Sequence, residues 1–240
     1  MPDLPILVSS KCQSCESRNQ NWFCNLPPEA LIELDRIKQV RTFARGDSLF
    51  DEGKPVHELM IVCEGAATLT FSSPVGNVVM LGLSERGEVL GLSSAISGRR
   101  YEVSAEALEN TRVAAFARSD FLKFLERFPP AAINAGTELS RKVNRAYDKI
   151  RLIGSGLSVR QRLAAWLLHM QETHADRCNL VTIVLTHGRI AQLLGVSRES
   201  VTRAISNLRR RGGVEVRGIH FYVHDRNYLR SLLHPSKLAH

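Results

Sequence analysis

The sequence lacks any long hydrophobic run, since no apolar stretch approaches the roughly 20 residues that a membrane-spanning helix needs. Its first residues, MPDLPILVSSKC, have an acidic start and too short an apolar run for a signal peptide. It also lacks a nucleophile elbow, a P-loop, an HExxH motif and a Rossmann fingerprint. We therefore expect a cytoplasmic protein, with no membrane partner, that is not an enzyme.

Acidic side chains are scarce in the second half of this chain of 240 residues. Residues 141–240 hold 18 Lys and Arg against 6 Asp and Glu, a net charge of +12. Residues 1–140 hold 14 basic and 18 acidic side chains, a net charge of −4. This asymmetry fits a sensor domain followed by a nucleic-acid-binding domain. Chance, or a basic surface without a partner, would give the same numbers, so charge alone leaves the function open.

The stretch GVSRESVTRAISNLRRR (195–211) predicts an amphipathic helix with long polar side chains on one face. At 100° per residue, four apolar side chains share one stripe: Val201, Ala204, Ile205 and Leu208. Arg198, Glu199 and Arg203 lie away from that stripe. A second short helix, THGRIAQLLG (186–195), precedes it across a turn that contains glycine. Two such helices predict a helix-turn-helix, and the alternative is an exposed charged helix face.

A β-domain is predicted for residues 41–118, where short β-type runs are separated by glycines at turn-like intervals. This pattern is typical of an antiparallel β-roll or barrel. Short helices are predicted on either side of it, at residues 26–40 and 119–129.

A long helix is predicted for residues 131–153, and it carries a seam of side chains at alternating spacings of three and four. The seam consists of Ile133, Gly136, Ser140, Val143, Tyr147 and Ile150. Packing against the chain's own β-domain would also explain it, but we favour self-association. The expected interface of a homodimer comprises Ile133, Ser140, Val143, Tyr147 and Ile150.

The chain ends in a second predicted domain that contains the helix-turn-helix. Gly154-Ser155-Gly156 is a plausible hinge, residues 159–172 predict a helix, and VEVRGIHFYVHD (214–225) predicts a β-hairpin that forms a wing. The sequence thus predicts an α+β protein in four parts. They are a cysteine-bearing segment at 1–25, a β-roll sensor domain at 26–130, a dimerisation helix at 131–153 and a winged helix-turn-helix at 154–240.

With this order of elements, the chain resembles the Crp/Fnr family of bacterial transcription regulators over essentially its whole length. The β-roll would be the jelly roll of cyclic-nucleotide-binding domains. The most specific part is GVSRESVTR, which is similar to the recognition helix of the cyclic-AMP receptor branch. The resemblance implies that Arg198 and Arg203 read bases and that Glu199 accepts a hydrogen bond from cytosine. The chemistry agrees, because a guanidinium matches the O6 and N7 acceptors of guanine and a carboxylate can only accept.

The same resemblance implies further partners. The family's phosphate contacts fall on Thr186, His187, Ser197 and Ser200. The dimer is expected to read an inverted repeat of a half-site close to TGTGA in double-stranded DNA and to work with RNA polymerase. An architectural protein that binds DNA of any sequence is an alternative.

The signal that such a regulator senses is harder to read. Where cyclic-nucleotide binders of this family place a ribose-holding glutamate after a glycine, this chain has Leu92, and Tyr101 replaces a small hydroxyl residue. Cyclic-nucleotide binding is therefore disfavoured. The stretch GEVLGLSSAISGRRYEVSAEA (87–107) resembles the Fnr branch instead.

The Fnr branch carries an N-terminal cysteine cluster, and here Cys12, Cys15 and Cys24 lie within thirteen residues. The resemblance implies an iron–sulfur cluster, of the 4Fe-4S type, that responds to oxygen or nitric oxide. The eight residues between the second and third cysteines exceed the usual spacing, and the family's fourth ligand position falls on cysteine-free residues 112–115. Cys63 is a possible fourth ligand, whereas Cys178 is interpreted as a bystander.

Several other sensor hypotheses stay open. The same thiols would suit a thiol–disulfide switch or, with a fourth ligand, a structural zinc site. A vestigial cluster, another small ligand in the β-roll and a regulator without any ligand are the remaining alternatives.

Overall fold

The computed structural model describes residues 11–15, 23–73, 76, 78–174, 180–182, 185–217 and 220–233. The chain divides into two compact units. The first extends to Arg145 but leaves out Ser72–Met80, and the second comprises Ser72–Met80 and the chain from Ala146 onward. None of the described helices is both long and apolar enough to span a bilayer.

Eight short strands form two four-stranded sheets. Their bounds are β1 Gln39–Phe43, β2 Ser48–Phe50, β3 Glu58–Glu64, β4 Ala66–Ser72, β5 Val78–Glu85, β6 Val89–Leu90, β7 Ser104–Ala107 and β8 Thr111–Ala117. One sheet has the order β1-β8-β3-β6 and the other has the order β2-β7-β4-β5. The pairings of β8 with β1 and β3, of β6 with β3, and of β7 with β2 and β4 are all antiparallel.

Strand β3 is buried on both faces of its sheet. Successive side chains of a strand point to opposite faces, so Met60 and Val62 join the core inside the roll while Leu59 and Ile61 join a second core. This second core is completed by helices α1 Pro28–Ile37, α2 Leu92–Ser97, α3 Arg118–Arg127 and the start of α4 Pro129–Gly154. Burial on both faces explains why β3 reads as a nearly continuous apolar run, ELMIVCE.

Helix α4 buries one face and exposes the other. Ala131, Ala135 and Glu138 are buried. The exposed fraction is 69% for Ile133, 48% for Val143, 56% for Tyr147 and 65% for Ile150. Ser140 and Gly136 are exposed as well, so the whole seam faces away from the core of this protomer.

The described residues of the second unit form four further helices and three strands. They are α5 Val159–His174, β9 Leu180–Thr182, α6 His187–Leu194, α7 Arg198–Arg210, β10 Val214–Arg217, β11 His220–Val223 and α8 Arg226–Leu233. The strands form an antiparallel sheet of order β10-β11-β9. Helices α6, α7 and α8 all contact α5, which buries Leu163 and Leu167.

The predicted fold class is confirmed, with one boundary corrected and three elements added. The helix predicted for 26–40 ends at Ile37, because the chain becomes extended at Lys38 and residues 39–43 pair with β8. Helices α2 and α8 and strand β9 were not predicted from the sequence. Two residues of the predicted wing hairpin, Gly218 and Ile219, lie outside the described residues. The four-part division of the chain stays a prediction.

Candidate DNA-reading surface and cysteine site

Helix α7 begins where the sequence provides a cap. Ser197 is the N-cap residue, and its Oγ accepts a hydrogen bond from the backbone N–H of Ser200 at 3.2 Å. Gly195 ends α6 in the left-handed region, with φ of 65°, which allows the tight turn between the two helices. The predicted apolar stripe of α7 is buried in full: Val201, Ala204, Ile205 and Leu208.

The three side chains predicted to read bases are all exposed on the opposite face. Hydrogen bonds from the backbone N–H of Glu199 and from Ser197, followed by the charges of Arg198 and Arg203, lower the pKa of the Glu199 carboxyl. Glu199 is therefore ionised at neutral pH and is purely a hydrogen-bond acceptor. Arg203 donates from Nη2 to Ser200 Oγ at 3.2 Å, which holds its stem near the start of the helix.

The side chains predicted to contact phosphates lie at the first turns of α6 and α7. Thr186 caps α6 by accepting from the Arg189 N–H at 3.3 Å. His187 Nδ1 lies 3.0 Å from Thr202 Oγ1 and so links the two helices. The N-terminal N–H groups of a helix attract anions, so these two turns suit the DNA backbone.

The wing adds polar groups that the sequence reasoning did not single out. Glu215 accepts from Arg217 Nε at 2.6 Å and lies 3.1 Å from His224 Nε2, and the Arg217 guanidinium stands over the Tyr222 ring. An open cleft of about 510 Å³ separates the wing from the end of α7. It is lined by Ser206, Arg209, Arg210, Gly212, Val214, Glu215 and His224. The run of three arginines at 209–211 was the signal for this basic edge.

The cysteine site begins at a short 3₁₀ turn, Cys12–Ser14. The backbone N–H of Cys12 donates to both carboxylate oxygens of Asp35, at 2.9 and 3.0 Å. The Lys38 ammonium lies 3.6 Å from Cys12 Sγ and 2.5 Å from Asp35 Oδ1. Helix α1 and the residue after it therefore fix the turn and place a cation beside a sulfur.

The structure brings four cysteines to one region, on the helix-covered face of the sheet. Cys63 follows Leu59 and Ile61 on the same face of β3, and Cys12, Cys24 and Cys63 pack against the same core. Burial raises the pKa of the Cys24 thiol, and the neighbouring sulfurs of Cys12, Cys63 and Cys15 raise it further. Burial, and then the Cys15 sulfur, likewise raise the pKa of Cys63. The four sulfurs are close enough for their charges to interact.

The four described thiols do not form a site for a single metal ion as they stand. Among the residues that the structure describes, no three histidine, cysteine or carboxylate side chains converge closely enough to bind one metal ion. A polynuclear centre spreads its ligands over several metal atoms, and an iron–sulfur cluster takes four thiolates. Cys12, Cys15, Cys24 and Cys63 are free thiols and match this number. Cys178 lies outside the described residues.

Helix α4 contacts the cysteine site directly. Asn134 donates from Nδ2 to the carbonyls of Phe23 and Asn25, at 3.2 and 3.1 Å, and so grips the backbone on both sides of Cys24. One turn further along α4, the buried Glu138 carboxyl is near enough to raise the pKa of Cys24. The sequence reasoning missed both α4 residues, because neither belongs to a recognisable motif.

The two side chains that distinguish this chain from the family's cyclic-nucleotide binders, Leu92 and Tyr101, are both buried. Tyr101 is buried in the inner core, donates from its hydroxyl to the Glu58 carbonyl at 2.6 Å and stacks on Phe50 with centroids 4.2 Å apart. Leu92 is fully buried in the other core.

Known proteins resemble this chain both in sequence and in fold. Residues 161–232 match the Crp-like helix-turn-helix domain, and residues 40–128 match the cyclic nucleotide-binding domain. The transcriptional activatory protein AadR of Rhodopseudomonas palustris is 28% identical over 204 residues, 83% of this chain and 84% of AadR. The cyclic AMP receptor protein of Thermus thermophilus is 29% identical over 194 residues, 81% of this chain and 88% of that protein.

Among solved structures, FixK2 from Bradyrhizobium japonicum superposes with a TM-score of 0.73 at 23% identity, covering 82% of this chain and 97% of FixK2. A β-roll, a long helix and a winged helix-turn-helix with an exposed polar recognition face define a DNA-binding transcription regulator. The chain belongs to the Crp/Fnr family of transcription regulators, which confirms the resemblance noted in the sequence. Members of this family are not enzymes, and they bind DNA and act as dimers.

Proposed function

We propose that this protein is a homodimeric regulator that reads a TGTGA-like inverted repeat through Arg198, Glu199 and Arg203 in the major groove. The observation that carries this proposal is the exposed face of α7, where an ionised carboxylate lies beside two exposed guanidinium groups. Two donors that match guanine and one acceptor that matches the cytosine amino group form a base-reading set. Thr186, His187, Ser197 and Ser200 would hold the DNA backbone and position that set.

Once bound beside a promoter, the dimer would act on RNA polymerase, as the family resemblance implies. DNase footprinting tests the proposal on a duplex with two TGTGA half-sites and on a scrambled duplex of the same composition. We expect protection of the first duplex at concentrations that leave the second unprotected. Equal protection of both duplexes would show a binder without sequence preference and would refute the proposed function.

We further propose that Cys12, Cys15, Cys24 and Cys63 hold a 4Fe-4S cluster, which would supply a centre that reacts with oxygen or nitric oxide. The Lys38 ammonium beside Cys12 would stabilise thiolate ligation, because a nearby cation favours the charged form of a thiol. Asn134 would transmit a change at Cys24 to α4, which carries the dimer seam. A small ligand in the β-roll is the alternative signal.

The thiol environment argues against Cys12, Cys24 and Cys63 as the attacking thiols of a disulfide switch. Burial, together with the hydrogen bond to Asp35, raises the pKa of Cys12 from its ordinary value of 9.0 to about 12. Burial also raises the pKa of Cys24 and of Cys63. A thiol attacks or is oxidised as its thiolate, so these groups are poor redox nucleophiles at neutral pH when no metal is bound. Metal ligation would remove the protons and overcome this barrier.

The fourth ligand is tested by Cys63→Ser, with Cys178→Ser as the matched control. Protein purified without oxygen is expected to show a broad visible absorbance that bleaches in air, with iron and sulfide bound in equal amounts. Cys63→Ser should lose most of the iron and the absorbance, because serine is a weak ligand for iron, whereas Cys178→Ser should keep both. A colourless wild-type protein, or a Cys63→Ser variant with full iron content, would contradict the cluster as proposed.

A further inference from the structure

One arginine near the start of α5 joins three segments of the second unit. The Arg162 guanidinium donates from Nε to the Leu157 carbonyl at 3.1 Å. It donates from Nη1 to the Leu194 carbonyl at 3.2 Å and from Nη2 to the Ile153 carbonyl at 3.0 Å. Leu157 lies between α4 and α5, Leu194 is the last residue of α6, and Ile153 lies in the last turn of α4. All three nitrogens of the side chain are therefore engaged.

Two of these carbonyls belong to helix ends. The last carbonyls of a helix have no partner within it and carry the negative end of the helix dipole. The Arg162 side chain satisfies one such carbonyl on α4 and one on α6 with a single positive charge. Because a guanidinium is planar and its donors have fixed directions, it also restricts the angle between those two helices.

The connection from α4 to α5 is exposed and contains two glycines. Gly154, Ser155 and Gly156 are exposed, and a Cβ at Gly154 or Gly156 would meet nothing within 4 Å. A second contact supports the arginine, since a Cβ at Gly195 would lie 3.8 Å from Ile153 Cδ1. The last turn of α4 thus touches the turn of the helix-turn-helix, and Arg162 ties the same two places together.

We propose that Arg162 is a positioning residue that sets the distance between the two recognition helices of the dimer, and with it the half-site spacing that the protein accepts. The inference rests on the proposed function, because spacing matters only to a dimer that reads an inverted repeat. Helix α4 carries the dimer seam and α7 carries the base-reading side chains, so the angle that Arg162 fixes decides where each copy of α7 meets the duplex. The two half-sites of such a dimer lie about 10 base pairs apart, one helical turn.

The test compares Arg162→Met and Arg162→Lys with the wild type and with Arg160→Met. Arg160→Met is the matched control, because Arg160 lies on the same helix and its substitution removes the same charge. The Arg160 guanidinium is exposed, and its hydrogen bond goes to a side chain, Asn207 Oδ1, at 3.3 Å. Fluorescence anisotropy measures affinity for three duplexes: the inverted repeat, a single half-site, and an inverted repeat with about 2 extra central base pairs. The insertion turns one half-site by about a fifth of a turn around the duplex.

The wild type and Arg160→Met should prefer the inverted repeat over both other duplexes. Arg162→Met should bind the single half-site as Arg160→Met does, but should lose about tenfold on the inverted repeat, within the usual range of coupling between sites. Its preference against the expanded repeat should disappear. Arg162→Lys has a single side-chain nitrogen, which cannot reach three divergent carbonyls. Its affinity for the inverted repeat should therefore lie between those of Arg162→Met and the wild type. This variant supplies the test if Arg162→Met does not fold.

Two results would overturn the inference. Variants of Arg162 that keep the wild-type ratio between native and expanded repeats would show that the residue does not set spacing. An equal loss on half-site and inverted repeat would show that it serves stability alone. If the wild type itself does not prefer the TGTGA repeat over scrambled DNA, the proposed function fails, and the role of Arg162 in spacing fails with it.

Discussion

Glu199→Ala is expected to weaken binding to the cognate half-site by about 1–3 kcal/mol and to abolish the preference for one base pair of it. The carboxylate is exposed, ionised and held at the first turn of α7 by Ser197 and its own backbone N–H. It can accept from the amino group of cytosine, whereas guanine and thymine present only acceptors to the major groove. Alanine removes the acceptor without disturbing the buried stripe on the other side of the helix.

The sign of the effect on unrelated DNA distinguishes this role from simple electrostatics. A carboxylate near phosphates is repelled by them, so Glu199→Ala should bind scrambled DNA slightly more tightly while it binds the cognate site less tightly. Arg198→Ala should also lose discrimination at one base pair, by a similar amount. A systematic set of duplexes with one substituted base pair each, measured by anisotropy at fixed salt, gives both quantities.

Arg209→Ala is the matched control for these variants. Arg209 is exposed at the far end of α7 and lines the cleft beside the wing. Its loss should weaken the affinity for every duplex by the same factor, with no change in base preference. The salt dependence of binding should fall by the equivalent of about one phosphate contact. Uniform losses for Arg198→Ala and Glu199→Ala, like those of this control, would refute their assignment as base readers.

The recognition helix could be predicted because all of its signals are local. A cap, a period of 3.6 and a glycine turn lie within about twenty residues, and the structure reproduces each of them. Strand β9 has no such signals, and α2 is only six residues long, but α8 begins after an aspartate cap, Asp225, that the sequence reasoning missed. Their formation depends on neighbours that the sequence does not identify, such as the pairing of β9 with β11 and the packing of α8 on α5.

At the cysteine site, the sequence alone does not predict which face of its strand Cys63 occupies. Three of its cysteines are close in sequence, but Cys63 lies in a strand that is buried on both faces, so periodicity cannot tell which way it points. The structure decides this: Ile61 pairs with Ala114 and Val62 with Val113, the register shifts between Val62 and Glu64, and Cys63 lies at this irregularity and packs against the helix-covered core. Cys63 therefore lies beside the segment where, by the family resemblance, the Fnr branch places its own fourth cysteine. Compared with the Fnr branch, the proposed fourth ligand thus lies on the neighbouring strand, β3 instead of β8.

The grip of Asn134 on the Cys24 loop could not have been found in the same way. It joins residues more than 100 positions apart through a single amide. An amide on a helix face is common and carries no motif, so only the packing of α4 against the loop reveals it. This contact nevertheless joins the proposed sensor site to the helix that carries the proposed dimer seam.

Val143→Glu is expected to convert the dimer to monomers. The seam of α4 leaves Val143, Tyr147 and Ile150 48–65% exposed in the protomer, although these are large apolar side chains that proteins normally cover. A second copy of the same face would bury them, and a pair of carboxylates at the centre of that interface would be desolvated without partners. Glutamate is a good helix former, so α4 itself should persist.

Sedimentation equilibrium gives the mass directly, and the DNA affinity gives the consequence. Two linked half-site contacts exceed one by about 10²–10⁴ in affinity, so Val143→Glu should lose about that factor on the inverted repeat and nothing on a single half-site. Ile32→Glu is the control, since Ile32 is 57% exposed on α1, away from the seam, and this variant should stay dimeric. A Val143→Glu protein that sediments as the wild-type dimer would show that the dimer interface is not the seam of α4. The argument that Arg162 sets the half-site spacing through α4 would then fail as well.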